Sequence, residues 1–402
     1  MRVFIALLLV PAALAAQAKP RARDLGVPFD GTPGPLNAIT DVAGVEVGQT
    51  TLVAGSGKLV VGQGPVRTGV TAILPRGKSS GDPVFAGWFT LNGNGEMTGT
   101  TWVEESGLLG GPVMITNTHS VGVVRDAVIA WLVKSGREFD WSLPVVAETW
   151  DGSLNDINGF HVQREHAFAA LDAARGGPVA EGNVGGGTGM ICHGFKGGMG
   201  TASRKLPPEA GGYTVGVLVQ CNYGRRPQLR IAGVPVGREI PDLLPCFDTS
   251  GPPPGPGRAR CADRGPAGQV SPSEQGSIII AVATDAPLLP HQLKRVAKRA
   301  ALGVGRMGGI GGNSSGDIFI AFSTANPGAG GGGPDKPVTL TMLPNERSDA
   351  VYEATIQATE EAIVNALVAA ETMTGANDLR VTALPHDRLR RALAKYNRLS
   401  GR

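Results

Sequence analysis

The stretch PSEQGSIIIAVATDAPLLP, residues 272–290, decides the reading of this chain. A run of β-branched and small apolar residues begins abruptly at Ser277, directly after Gly276. A short run that is apolar on both alternate faces fits a strand buried on both sides. Just upstream lies SGPPPGPGRARCADRGPAGQ, residues 250–269, a Pro/Gly-rich tether without helical or strand period. A core strand thus starts on a hydroxyl, straight out of a flexible and cuttable segment.

A lone serine is a poor nucleophile until a base takes its proton. Neither Ser277 nor its rival Ser315, in GGNSSGDIF, has a histidine adjacent in sequence. One arrangement needs none. If the bond before a serine is cut, the freed α-amino group lies one residue from the hydroxyl. Its pKa of about 8 suits a base near neutrality. Such a serine should head a buried strand and follow a cuttable segment. Ser277 meets both conditions; Ser315 follows glycines but no long tether.

The rest of the chain supports a layered design. AITDVAGVEVGQTTLV and GVTAILPRG read as strands among turns, and PVMITNTHSVGVVRDAVIAWLVKSG as a strand, a polar turn and a helix from about Val121 to Lys134. SLPVVAETWDG is a strand entering a polar loop, GYTVGVLVQCN a buried strand ending at Asn222, and DIFIAFSTA another strand. LLPHQLKRVAKRAALGVGRMG is an amphipathic helix with Leu293, Val296, Ala300 and Ala301 on its apolar face. SDAVYEATIQATEEAIVNALVAAETM is a long helix. Intermixed helices and doubly apolar strands predict sheets covered by helices, in a layered α/β or α+β fold.

The 402 residues are 42% hydrophobic and 18% charged, enough to bury a large core. Sixty glycines, about twice the usual share of roughly 7%, imply many tight turns and close backbone approaches. A net charge of +3 and 5% aromatic residues argue against a nucleic-acid partner. MRVFIALLLVPAALAAQA, residues 1–18, fits a secretory signal peptide cut after Ala18. The exported protein would be periplasmic or secreted, with no membrane attachment once the signal is removed. Cys246 and Cys261 bracket the Pro/Gly tether, a spacing that fits a disulfide loop as well as two free thiols. Cys192 and Cys221 stand in apolar contexts and read as buried thiols.

Several motifs can be set aside. HVQREH is one residue too long for H-x-x-E-H, and H-E-x-x-H is absent, so no metal site is expected there. GNVGGGTGMICHGFKGGMG holds neither a phosphate-binding loop nor a dinucleotide fingerprint, and reads as backbone packed on backbone. G-x-S-x-G is missing around the candidate serines. Glu360 shares a helical face with Ile356, Ile363 and Leu367, which marks it as a paired or functional carboxylate, with Glu361 on the Gln357/Asn365 side.

Nine segments together resemble the L-aminopeptidase/D-amidase-esterase family, which includes the bacterial β-peptidyl aminopeptidases. They are RARDLGVPFDGTPGPLNAITDVAGVEVGQTTL, GPVRTGVTAILPRG, LNGNGEMTGTTWVEESG, TNTHSVGVVRDAV, ETWDGSLNDINGFHV, GGGTGMICHGFKGGMGTASR, GVLVQCNYGRR, ATDAPLLPHQLKRVAKRAALG and SGDIFIAFSTAN. The resemblance runs from about residue 21 to the last long helix. It implies an α+β fold: a four-layer αββα sandwich similar to N-terminal-nucleophile hydrolases, with its own connectivity. It implies self-cleavage at Gly276–Ser277 into a large chain, 19–276, and a small chain, 277–402, forming one catalytic domain. Ser277 would be the nucleophile, with Ser315 and Asp317 orienting its amine and hydroxyl. Asn222 would serve the oxyanion. Glu148 would bind the substrate ammonium. Trp150 stands where relatives carry tyrosine, and its indole N–H donates from a different point.

The expected protein is therefore a self-processing serine aminopeptidase or amidase acting on small peptides or amino-acid amides, without metal or organic cofactor. It would assemble as a homo-oligomer of αβ heterodimers. The rival readings are an acylase or cyclic-amide hydrolase on the same fold, and a non-catalytic exported binding protein.

Overall fold

The computed structural model describes residues 19–136, 139–251, 259–263, 276–331 and 336–400. The expected signal peptide and most of the tether lie outside the described residues. Fifteen strands and seven α-helices are described: β1 (Glu46–Ala54), β2 (Val66–Leu74), β3 (Val84–Gly93), α1 (Thr100–Ser106), β4 (Leu108–Leu109), β5 (Val113–Asn117), α2 (Val121–Lys134), β6 (Val145–Thr149), α3 (Arg164–Asp172), β7 (Ile191–Cys192), β8 (Phe195–Lys196), β9 (Gly198–Lys205), β10 (Thr214–Asn222), α4 (Val236–Glu239), β11 (Cys246–Phe247), β12 (Gly276–Thr284), α5 (Pro290–Arg306), β13 (Ser315–Ser323), α6 (Asp349–Ala369), β14 (Met373–Thr374), β15 (Leu379–Val381) and α7 (His386–Lys395).

Two sheets form the centre. One has the order β1-β2-β5-β6, the other β4-β3-β13-β12-β10-β9. The alternation along β12 shows how the layers stack. Ile278, Ile280 and Val282 lie in the core shared with α5 and α6. Ile279, Ala281 and Ala283 lie in the core between the two sheets. A third core joins the four-stranded sheet to α2 and α3 through Val70, Met114, Val124 and Ala170. The layer order is helix, sheet, sheet, helix, the expected αββα sandwich. A central strand needs apolar residues on both faces, which is why the run after Ser277 shows no polar alternation. In the larger sheet β12 runs parallel to β13, with α5 as the crossover, and antiparallel to β10.

The long helix bears out Glu360 as a paired carboxylate but corrects which acid is buried. The fully buried carboxylate of α6 is Glu361, not Glu360. Glu360 is partly exposed and pairs with Arg306 at 3.0 Å. Glu361 receives Nε and Nη2 of Arg23 at 2.7 and 2.8 Å, Nη2 of Arg204 at 2.8 Å and Nδ2 of Asn37 at 2.6 Å. The helix wheel assumed one buried stripe. Here the N-terminal segment closes over the polar side of α6, where the Ala22 N–H also donates to Asn365 Oδ1. Removing one member of a buried ion network leaves the others desolvated and unpaired. Glu361→Ala should therefore lower stability by about 3–5 kcal/mol, read as a fall in the urea midpoint. A midpoint equal to that of the parent would refute this account of the N-terminal clasp.

The cysteines give a second correction. Cys192 and Cys221 form a disulfide, with Cα atoms 5.8 Å apart across a sequence separation of 29. The β7–β8 hairpin lies directly against β10: a Cβ on Gly197 would sit 2.3 Å from Cys221 O and 2.9 Å from Cys192 Cβ. That close approach carries Cys192 onto Cys221, and neither residue's local context reveals it. Cys246 and Cys261 are also paired, with Cα atoms 4.9 Å apart, closing the start of the tether.

Candidate active site

Ser277 is the second residue of β12 and only 4% exposed. Register sets its neighbours: Asn222 stands opposite it on β10, and Gly316 opposite it on β13. The Gly316 N–H donates to Ser277 Oγ at 3.2 Å. By strand alternation the hydroxyl shares the face of Ile279 and Ala281, toward the second sheet. Among the described residues no histidine hydrogen-bonds Ser277; the imidazoles of His161, His193 and His386 engage Asp156, Arg225 O and Val368 O.

Gly276 has φ +139°, and a Cβ there would lie 1.8 Å from Asn222 O. Only glycine can precede this serine without displacing the end of the sheet. Opposite Gly276 stands Ser315, whose Oγ donates to Asp317 Oδ1 at 2.7 Å. Both side chains are fully buried and share the face of Phe319, toward α5 and α6. Ser315 and Asp317 therefore flank the Gly276–Ser277 main chain from the face opposite the hydroxyl. A bulge in β3 at Leu91, opposite Asp317 and Ile318, adjusts the edge beside them.

Asn222 ends β10 and is held at both ends of its amide. Its Oδ1 accepts from the Ile191 N–H at 2.7 Å, and its Nδ2 donates to Trp150 O at 2.9 Å. One Nδ2 hydrogen is thereby fixed, which sets the direction of the other. Trp150 reaches the site through this carbonyl, while its side chain is 43% exposed at the rim.

Glu148, near the end of β6, is buried. Its Oε1 accepts from the Glu96 N–H at 3.0 Å and its Oε2 from Thr118 Oγ1. Burial raises its carboxyl above the usual range, and these hydrogen bonds partly offset the rise. Gly95 separates it from β13, the neighbour of the nucleophile strand: a Cβ there would be 3.2 Å from Glu148 Oε1 and 3.2 Å from Gly316 Cα. The carboxylate thus lies about one glycine's width from the residue that contacts Ser277 Oγ. Asp151, three residues after Glu148, is buried, accepts from Nδ2 of Asn117 and Asn155 at 3.1 and 3.0 Å, and is raised by burial to about 6.

Sequence reading missed Thr118, the Gly316 and Ile191 N–H groups, and Gly95. Thr118 and Gly95 lie in TNTHSVG and LNGNGEMTG, segments whose polar density was a usable signal. The two N–H groups carry no side-chain signature.

A serine heading a central strand, a glycine that alone fits before it, and an amide donor across the ladder define a serine hydrolase of the N-terminal-nucleophile kind. Comparison with known proteins agrees. The chain belongs to peptidase family S58, whose sequence model matches residues 37–381. It is 59% identical over 397 residues to the beta-peptidyl aminopeptidase BapA of Sphingosinicella microcystinivorans, covering 98% of this chain and 97% of that one. Among solved structures it resembles the L-aminopeptidase D-Ala-esterase/amidase of Ochrobactrum anthropi, described as a variant of the Ntn hydrolase fold (TM-score 0.83, 49% identity, 95% of this chain and 100% of that one). It also resembles a Burkholderia β-aminopeptidase (TM-score 0.80, 48% identity, 95% and 100% coverage). The expected α+β fold and the serine aminopeptidase class are both established by these likenesses.

Proposed function

We propose that the chain cuts its own Gly276–Ser277 bond and that the new Ser277 then releases N-terminal residues from short peptides, amides or esters with a free amine. In self-cleavage, Ser277 Oγ attacks the Gly276 carbonyl, the amide becomes an ester, and water hydrolyses it. In turnover, the Ser277 amine takes the proton of its own hydroxyl as Oγ attacks the substrate carbonyl. The oxyanion is met by Asn222 Nδ2–H. The ammonium returns its proton to the leaving amine, and water cleaves the acyl-enzyme. Ser315 and Asp317 accept from the Ser277 amine and hold it in place. The observation that carries this reading is the register that sets Asn222, Ser277 and Gly316 side by side on three adjacent strands.

Glu148 receives the substrate ammonium, and Trp150 forms the rim beside it. The relatives' β-aminopeptidase names favour β-aminoacyl substrates, although α- and β-residues differ by one methylene, worth about 1–3 kcal/mol. The N-terminal signal-like segment and the two disulfides favour export to an oxidising compartment, as a periplasmic or secreted assembly of αβ units.

A panel of free and N-acetylated p-nitroanilides of β-homoamino, L-α- and D-alanyl residues tests the reading. Acetylation should lower kcat/KM by about 10²–10³-fold, the worth of a buried charge pair. Glu148→Gln should erase most of that preference. As pH falls through the raised Glu148 pKa, the carboxylate is lost and KM for amine substrates should rise. Equal turnover of acetylated and free substrates would remove Glu148 from this role.

A further inference from the structure

Lys196 is fully buried, and among the described residues it pairs with no carboxylate. Its ammonium donates instead to three main-chain carbonyls: Met190 O and Gly197 O at 2.9 Å, and Gly187 O at 3.5 Å. Three acceptors match the three N–H bonds of the charged form; a neutral amine would turn its lone pair against one of them. Burial lowers the group from 10.5 to about 7, so this charge is held at a cost in desolvation. Buried charges held that way call for an explanation.

The carbonyl of Met190 and the N–H of Ile191 belong to one peptide group. That carbonyl accepts from Lys196 Nζ, and that N–H donates to Asn222 Oδ1 at 2.7 Å. A continuous relay therefore runs from the ammonium, through one planar peptide and one planar carboxamide, to Asn222 Nδ2. Each bond polarises the next in a low-dielectric interior. A cation on the Met190 oxygen makes the Ile191 N–H a stronger donor. That bond in turn draws charge from Nδ2 and strengthens its free hydrogen as a donor to an oxyanion. The same clamp fixes the loop ahead of the hairpin, and with it the direction of the amide.

We infer that Lys196 is a positioning residue for catalysis: it orients and polarises the Asn222 oxyanion donor through the Met190–Ile191 peptide. This inference rests on the oxyanion role of Asn222 proposed above. It gives the glycine-rich segment around residues 185–198 a part in catalysis beyond close packing.

A double-mutant cycle with full-length protein separates the relay from a merely structural lysine. Values of kcat are normalised to the fraction of chain processed on a denaturing gel. Lys196→Met should lower kcat about 10–30-fold and leave KM within about twofold, the pattern of an interaction made in the transition state. Added to Asn222→Ala, it should cost less than about threefold more, because its route to the oxyanion is already gone. The amino aldehyde that corresponds to the best substrate forms a tetrahedral adduct with the serine. Lys196→Met should weaken its binding in proportion to kcat, while the matching amino alcohol binds as before.

If Lys196→Met does not fold, Ile191→Pro, which removes the intervening N–H while also fixing φ and replacing the side chain, carries the same prediction. Losses that multiply in the double variant, or equal weakening of aldehyde and alcohol, would overturn the relay. An unaltered kcat in Asn222→Ala alone would instead remove the oxyanion reading beneath it.

Discussion

Ser277→Ala should run as one band on a denaturing gel and turn over no substrate, whereas the parent should give two bands near two-thirds and one-third of the mass. On the proposed reading, Ser277 Oγ does two jobs at different times. Before cleavage the Ser277 nitrogen is an amide without basicity, and the hydroxyl can attack only the neighbouring Gly276 carbonyl. After cleavage the nitrogen is an amine with a pKa of about 8, and the hydroxyl gains a base within its own residue. No imidazole among the described residues stands by to replace it. Alanine removes the nucleophile for both events, so maturation and turnover should vanish together, with activity down at least about 10⁴-fold by analogy with other deleted nucleophiles. N-terminal sequencing of the parent's small chain should read SIIIAV. An active uncut chain, or a small chain beginning elsewhere, would end the proposal.

How much of this was legible in the sequence follows from what each feature depends on. The ends of β10 at Asn222 and of α2 at Val121 and Lys134 match expectation because turn residues mark them. β12 begins one residue before the expected Ser277, at Gly276, and β13 two residues before the expected Asp317, at Ser315. That the sheets are covered by helices was legible because doubly apolar strands must be covered twice, whereas the αββα order came from the family resemblance. What a helix wheel cannot show is a second cover: α6 has the N-terminal segment over its polar side, so Glu361 rather than Glu360 is the buried acid. The Cys192–Cys221 pairing depends on a hairpin folding onto a strand 29 residues away. The Ile191 and Gly316 donors are main-chain groups, and Lys196 acts through another residue's peptide. Such groups become visible only once neighbours in space are known.

Gly276→Ala tests the architecture of the cut rather than its chemistry. At φ +139° an alanine is strained whatever the surrounding space, and here its Cβ would lie 1.8 Å from Asn222 O. That oxygen belongs to the strand that also supplies the amide donor, so neither side can yield without opening the end of the β10–β12 ladder. The main chain before Ser277 must swing away, carrying the scissile carbonyl off the path of Oγ. A misplacement of about 1 Å costs roughly 10²-fold in a positioned reaction, so the precursor should mature at least that much more slowly. Turnover should behave differently. Once the bond is cut, residue 276 leaves with the tail of the large chain and the clash leaves with it. Molecules that do mature should then show a parental kcat per processed chain. A gel time course scored against activity separates the two: slow cutting with normal specific turnover is expected. Parental maturation in Gly276→Ala would mean that the φ at this position is not what presents the bond to Ser277.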